Sequence, residues 1–140
     1  MNSLLAFAVL FAWGLSLSPA HGSLLQLHKM ITKATGKNAL LSYSSYGCYC
    51  GLGGKGKPKD ATDRCCQLHD ICYQKLLDHH CNAMVQHHYY NWNGGNPSCR
   101  NNGWCAQQSC ECDRSLVLCL KQNIKSYRKR YRFYPNFLCR

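Results

Sequence analysis

The sequence predicts a mainly α, disulfide-rich fold built around two antiparallel helices linked to each other by disulfides. Three observations predict it. The chain of 140 residues holds 12 cysteines, a density that belongs to small secreted scaffolds whose thiols pair in an oxidising compartment. Cys65 and Cys72 lie seven residues apart, as do Cys112 and Cys119, so each pair shares one face of a helix, two turns apart. Ahead of all of them stands an apolar leader without a charged side chain.

That leader is the first element. Residues 4–15 are an apolar run, followed by Ser-Leu-Ser-Pro and then Ala20, His21 and Gly22, with small residues three and one before a cut at Ser23. The pattern reads as a secretory signal peptide over 1–22, with one domain at 23–140. A run this short falls below the roughly 20 residues that a membrane-spanning helix needs, and no later stretch reaches that length, so a spanning protein is not expected. All 17 basic and all 6 acidic residues fall in 23–140, for a formal net charge of +11. A secreted cation meets anionic lipid, heparan sulfate-like glycans and bacterial surfaces rather than nucleic acid. The expectation is a monomer that binds phospholipid membrane surfaces peripherally and prefers anionic ones. Zinc is the competing use of so many cysteines, but an even count behind a signal peptide favours pairing.

Within the domain, Leu24, Leu27 and Ile31 recur at i, i+3 and i+7 with Lys29 and Lys33 off the stripe. This is an amphipathic helix over 23–35, stopped at Gly36, and its stripe is at least partly core. Residues 46–58 form a glycine-rich loop, after which Thr62 or Asp63 can cap a helix running to about Asp78. A second long helix is predicted over 110–125. Between the two helices, residues 87–92 and the turn signal Asn93-Gly94-Gly95 predict a small β-hairpin. Internal repeats and low-complexity tracts are absent.

The cysteines also place chemistry. The two long helices could be clamped by Cys65 with Cys119 and Cys72 with Cys112. His69, four residues after Cys65 and three before Cys72, then faces the partner helix, where Asp113 follows Cys112. Asp70 lies on another stripe, four residues after Cys66. If Cys66 pairs with Cys50, the glycine loop is pinned beside the Asp70 carboxylate. A carboxylate facing backbone carbonyls, on a loop that glycine lets turn sharply, suits a hard cation such as calcium. An imidazole beside that ion, with a carboxylate on its other nitrogen, can deprotonate a water. A serine nucleophile has no support, since no Gly-x-Ser-x-Gly elbow is present. Gly51, Gly53 and Gly56 match a dinucleotide pattern, but Cys50 before it and Pro58 after it deny the strand and helix that pattern needs. His28, His79, His80 and His87 read as surface residues.

Three stretches, the loop Tyr46-Gly-Cys-Tyr-Cys-Gly-Leu-Gly-Gly54, the segment Cys65-Cys-Gln-Leu-His-Asp-Ile-Cys72 and the segment Cys110-Glu-Cys-Asp113, resemble the calcium loop and active-site helices of secreted phospholipase A2. The resemblance covers 23–140. It implies that Tyr49, Gly51 and Gly53 give carbonyl oxygens to calcium and that Asp70 gives both carboxylate oxygens. His69 is then the base, Asp113 its partner, and Tyr73 a hydroxyl donor to Asp113. Calcium and the Gly51 amide hold the developing oxyanion, and the N-terminal helix walls a lipid channel. The implied reaction is calcium-dependent hydrolysis of the sn-2 acyl bond of glycerophospholipids by water. The implied bridges are Cys48 with Cys139, Cys50 with Cys66, Cys65 with Cys119, Cys72 with Cys112, Cys81 with Cys105, and Cys99 with Cys110. A cysteine common in group II relatives is missing at Ile71, and the chain ends one residue after Cys139. With Thr-Gly-Lys-Asn-Ala-Leu at 35–40 and Leu-Cys-Leu-Lys at 118–121, the pattern looks most like group V.

Two positions depart from the family. Its second tyrosine on Asp113 falls near position 88, where this chain has His88 followed by Tyr89 and Tyr90, which leaves that donor unassigned. Leu52 stands where group V-like enzymes often carry tryptophan, a change that weakens the expected binding to uncharged membranes. Lys121, Lys125, Arg128, Lys129, Arg130 and Arg132 are either a lipid- or glycan-facing surface or a solubilising face. A second class of function stays open, because some relatives have lost catalysis and act as toxins, receptor ligands or matrix proteins. Heparin or bacterial-envelope binding by the charge alone would fit that class. Asp70 discriminates, since non-catalytic members often replace it and this chain retains it.

Overall fold

The computed structural model describes residues 19–51 and 53–140. Most of the expected signal peptide, and Leu52, lie outside the described residues. Helix α1 spans Pro19–Thr35, so helical backbone runs through the expected cut at Ser23. Gly36, at φ +74°, closes it by donating its N–H to the Thr32 carbonyl at 2.9 Å. A short helix absent from the sequence reading, α2 (Ala39–Ser42), follows at once, its first turn capped by Asn38, whose side chain accepts from the Leu41 N–H.

Helix α3 spans Ala61–Leu77. Its cap is neither Thr62 nor Asp63 but Asp60, whose Oδ1 accepts the Asp63 N–H at 2.8 Å. Asp63 is free for another task because Asp60 has already taken the orphan donor of the first turn. The hairpin pairs β1 (Tyr90–Asn93) with β2 (Asn96–Cys99), beginning three residues later than the 87–92 segment suggested. Asn93 pairs with Asn96 across Gly94 and Gly95, both at positive φ, as a two-residue hairpin turn requires. Helix α4 spans Trp104–Gln122, six residues ahead of the expected start at Cys110. Gly103 precedes it without a side-chain cap, and the Cys81–Cys105 bridge holds its first turn instead.

Cys65–Cys119 and Cys72–Cys112 bridge α3 to α4, and since the earlier cysteine of one helix meets the later one of the other, the two run antiparallel. Leu27, Met30 and Ile31 of α1 join Leu116, Val117 and Leu120 of α4 in the main core. Short 3-10 turns carry the chain end back to the glycine loop, where the Tyr46 ring stacks on Tyr127 at 4.6 Å. The remaining bridges are Cys48–Cys139, Cys50–Cys66 and Cys99–Cys110, so the six pairs are those the resemblance implies. No cysteine is free, which leaves no thiolate for zinc. Among the described residues, no helix is long and apolar enough to cross a membrane.

Candidate active site

The clamp that joins α3 to α4 also aims their polar residues at one another. His69 sits one turn after Cys65 on α3, and its Nε2 lies 2.8 Å from Oδ1 of Asp113 on α4. Tyr73, one turn further along α3, donates its hydroxyl to the same oxygen at 2.6 Å. The two α3 rings lie against each other with centroids 4.1 Å apart. On the other carboxylate oxygen, Oδ2, the partner is His88, whose Nε2 is 2.7 Å away. The donor that the sequence left unassigned is thus an imidazole rather than a hydroxyl, and Tyr89 and Tyr90 are not its source. The resemblance points to position 88 but leaves open which of His88, Tyr89 and Tyr90 serves; in the structure it is His88, which is only 1 % exposed.

Burial by itself would raise the carboxyl of Asp113, but the hydrogen bonds from His69, His88 and Tyr73 outweigh it and hold the group below the ordinary carboxylate range. An ionised carboxylate only accepts. Both imidazoles must therefore donate Nε2–H, which leaves Nδ1 of His69 with a lone pair. Burial next to that anion pushes the Tyr73 hydroxyl far up, so it stays a donor.

His69 and Asp70 line a cavity of about 380 Å³ whose other walls come from Leu24, Leu27 and Ile31 of α1 and from Leu116 and Leu120 of α4. His28, read as a surface residue, is half-buried in this wall, and burial lowers its pKa. His69 and Asp70 thus open into a cavity whose walls are largely hydrocarbon, which suits an ester with a long acyl chain.

Asp70 has no hydrogen-bond partner among the described residues, although it is half-buried. Burial pushes its carboxyl up to about 6, the charge on His69 works against that rise and the charge on Asp63 adds to it. A carboxylate left in this state fits a site for a cation. Tyr49 and Gly51 share the cavity with it, and the Cys50–Cys66 bridge ties their loop to the helix turn before Asp70. A methyl group on Gly54 would stand 3.0 Å from Asp70 Oδ2, so the loop backbone passes directly beside the carboxylate. Gly53 continues the loop with φ at +84°. Carbonyls on a glycine-rich turn together with one carboxylate make an all-oxygen donor set suited to calcium.

The loop itself is shaped by Asp63, which the sequence reading took only as a cap. Its fully buried carboxylate accepts N–H groups from Cys48, Tyr49 and Lys59 at 2.7, 2.8 and 2.8 Å.

The family model for phospholipase A2 matches residues 24–132. The chain belongs to the phospholipase A2 family. It is 54% identical over 118 residues to basic phospholipase A2 trimucrotoxin of Protobothrops mucrosquamatus, covering 84% of each chain. Basic phospholipase A2 B of Gloydius halys is 52% identical over 118 residues, again 84% of each. Group IID secretory phospholipase A2 of Homo sapiens is 50% identical over 123 residues, 87% of this chain and 85% of its own. The likeness to group V drawn from the cysteine pattern stays a reading of the sequence. Within this phospholipase A2 domain, α3 carries the imidazole and the free carboxylate, and α4 carries the carboxylate that orients the imidazole.

Proposed function

We propose that this protein is a secreted, calcium-dependent phospholipase A2 that hydrolyses the sn-2 ester of glycerophospholipids at membrane surfaces. The observation that carries the proposal is the pairing of His69 with Asp113 where His69 opens into a largely apolar cavity, beside an Asp70 with no hydrogen-bond partner among the described residues. Nδ1 of His69 removes a proton from a water as that water attacks the ester carbonyl carbon. The same proton then passes to the lysophospholipid oxygen as the acyl bond breaks. Asp113 holds the Nε2–H and stabilises the imidazolium between these two transfers, while the Tyr73 hydroxyl keeps Asp113 in place. The hydrocarbon walls from α1 and α4 take the acyl chain and exclude water from it.

Calcium, held by Asp70 and the carbonyls of Tyr49, Gly51 and Gly53, would polarise the ester carbonyl and offset the charge that develops on its oxygen. The Gly51 amide would share in that offset. Secretion is supported by the leader at 1–22 and by the secretory group IID relative. Peripheral binding to anionic membranes, and to heparan sulfate-like glycans, follows from the net charge of +11. The non-catalytic reading is not favoured, because the base, its carboxylate and the cation ligand are all retained.

The test is a calcium titration of fatty-acid release from vesicles whose sn-1 and sn-2 chains differ in mass. Release of the sn-2 chain alone, rising with calcium and abolished by a chelator, is the expected result. Release of both chains, or full activity in chelator, would sink the proposal.

A further inference from the structure

Asp113 is bound unequally on its two oxygens. Among the described residues, Oδ1 takes two donors, His69 and Tyr73, whereas Oδ2 takes His88 alone. The Asp113 side chain is 2 % exposed, so water does not substitute for a missing donor. His88 is itself buried, and its Nδ1 has no hydrogen-bond partner among the described residues. A proton on Nδ1 would be a buried donor with no acceptor, which agrees with the requirement that an ionised Asp113 places on Nε2. The ring therefore gives its one polar contact to Asp113 and leaves its other nitrogen unmatched.

The backbone of His88 is held from a different element. Gln26 on α1 donates its side-chain amide to the His88 carbonyl at 2.6 Å, and its Oε1 accepts the His88 N–H at 3.4 Å. The ring thus has a fixed origin, and its N–H meets Oδ2 without the freedom that a hydroxyl rotor has.

We infer that His88 is a positioning residue of this active site, a second imidazole whose Nε2–H clamps Oδ2 of Asp113 and thereby holds the His69–Asp113 pair in its working geometry. The inference rests on the reaction proposed above. Without the His88 donor, Oδ2 is a buried charged atom with nothing on it. Asp113 then turns or takes up a proton, and in either case His69 loses the acceptor that fixes its tautomer. His88 is not among the residues that line the cavity, so its loss acts through Asp113 on kcat and not on binding of lipid or calcium.

Three measurements test this. His88→Phe removes the donor and keeps a ring of similar size. Its kcat is expected to fall by about tenfold to a hundredfold with KM and calcium affinity unchanged, the loss that follows when a charged buried acceptor is left without its donor. His88→Gln places an amide N–H near the position of Nε2 and is expected to recover most of that loss. Nitrogen-15 NMR of the parent protein should give a protonated Nε2 and a bare Nδ1 for His88. An unchanged kcat in His88→Phe, a His88→Gln variant no better than His88→Phe in spite of a native fold, or a protonated Nδ1 would each overturn the inference. The NMR result does not depend on the reaction. If the parent protein released no fatty acid, the proposed reaction would fail while the tautomer still tested the clamp.

Discussion

The carboxylate of Asp63 lies so close beneath Gly47 that a methyl group on that glycine would stand 2.4 Å from Oδ2. Gly47 also has φ +62°, so the position needs glycine both for its conformation and for the space. This contact lets Asp63 reach the N–H groups of Cys48, Tyr49 and Lys59 and brace both ends of the loop that passes Asp70. Asp63→Asn would turn an amide NH₂ toward donors and remove the charge. It is expected to cost about 2 to 3 kcal/mol of stability, as for loss of a hydrogen bond to a charged group, and to weaken calcium binding. Gly47→Ala should do the same through the clash. Chemical denaturation and calcium calorimetry on both variants check this, and a variant that lost neither stability nor calcium affinity would refute the bracing role.

The His69 ring needs one nitrogen to donate and one to accept. In His69→Gln the side-chain amide can still donate to Oδ1 of Asp113, but no lone pair on nitrogen is left to take a proton from water. Hydrolysis should fall at least about a hundredfold, the lower end of what a positioned base contributes, with calcium affinity retained. Fatty-acid release and calcium binding measured side by side decide it. Loss of both together would make His69 a structural residue.

The pH dependence of stability should carry a mark of Asp70. Its carboxyl is raised from 3.8 to about 6 in the folded protein, so between those values the folded state binds more protons than the unfolded one. Stability from this group is full below 3.8 and is lost as pH rises through about 6. In chelator, the thermal midpoint of the parent minus that of Asp70→Asn should fall from pH 4 to pH 7. Calcium should restore the parent at neutral pH and do little near pH 4, where the proton holds the carboxylate. A difference that stays flat or rises with pH would show that burial of the Asp70 charge does not cost the fold stability.

Much of this site was legible because disulfide-linked helices obey simple periodicity. Seven-residue spacing allowed Cys65 and Cys72 to face Cys119 and Cys112 and so to set His69 against Asp113, and the resemblance to the family supplied the pairing and the roles. The residues that were misjudged answer to long-range contacts. Asp63 looks like a helix cap, as any Asp ahead of an apolar pattern does, until Asp60 is seen to hold that place. The start of α4 has no capping side chain to mark it, and a bridge from Cys81 supplies the restraint. The resemblance located the second donor to Asp113 near position 88, but that stretch has no regular period, so only the folded chain decides for the His88 ring over Tyr89 and Tyr90.

The last prediction separates the two forces that would hold this enzyme on lipid. Leu24 and Ala39 line the cavity, and their neighbours in sequence, Leu25, Leu40 and Leu41, are exposed. Lys29 is exposed on α1 and lies in the wall of a shallow groove that reaches Leu40. Apolar contact does not depend on salt, whereas attraction of a lysine to anionic headgroups, about 1 kcal/mol per charge, is screened over about 8 Å at physiological ionic strength. Replacing both Leu40 and Leu41 by serine should weaken vesicle binding about tenfold or more, on anionic and zwitterionic lipid alike and at any salt, since burying a leucine is worth about 1.5 to 3 kcal/mol when complete. Lys29→Glu should weaken binding only to anionic vesicles and only at low salt. Neither change touches His69, Asp70 or Asp113, so hydrolysis of a short-chain phospholipid dispersed as single molecules should be unaffected in both. Binding and hydrolysis on two lipids at two salt concentrations give the answer. If the serine variant bound zwitterionic vesicles as the parent does, the exposed leucines of α2 would not be the membrane face. If Lys29→Glu mattered equally at high salt, its effect would not be the charge.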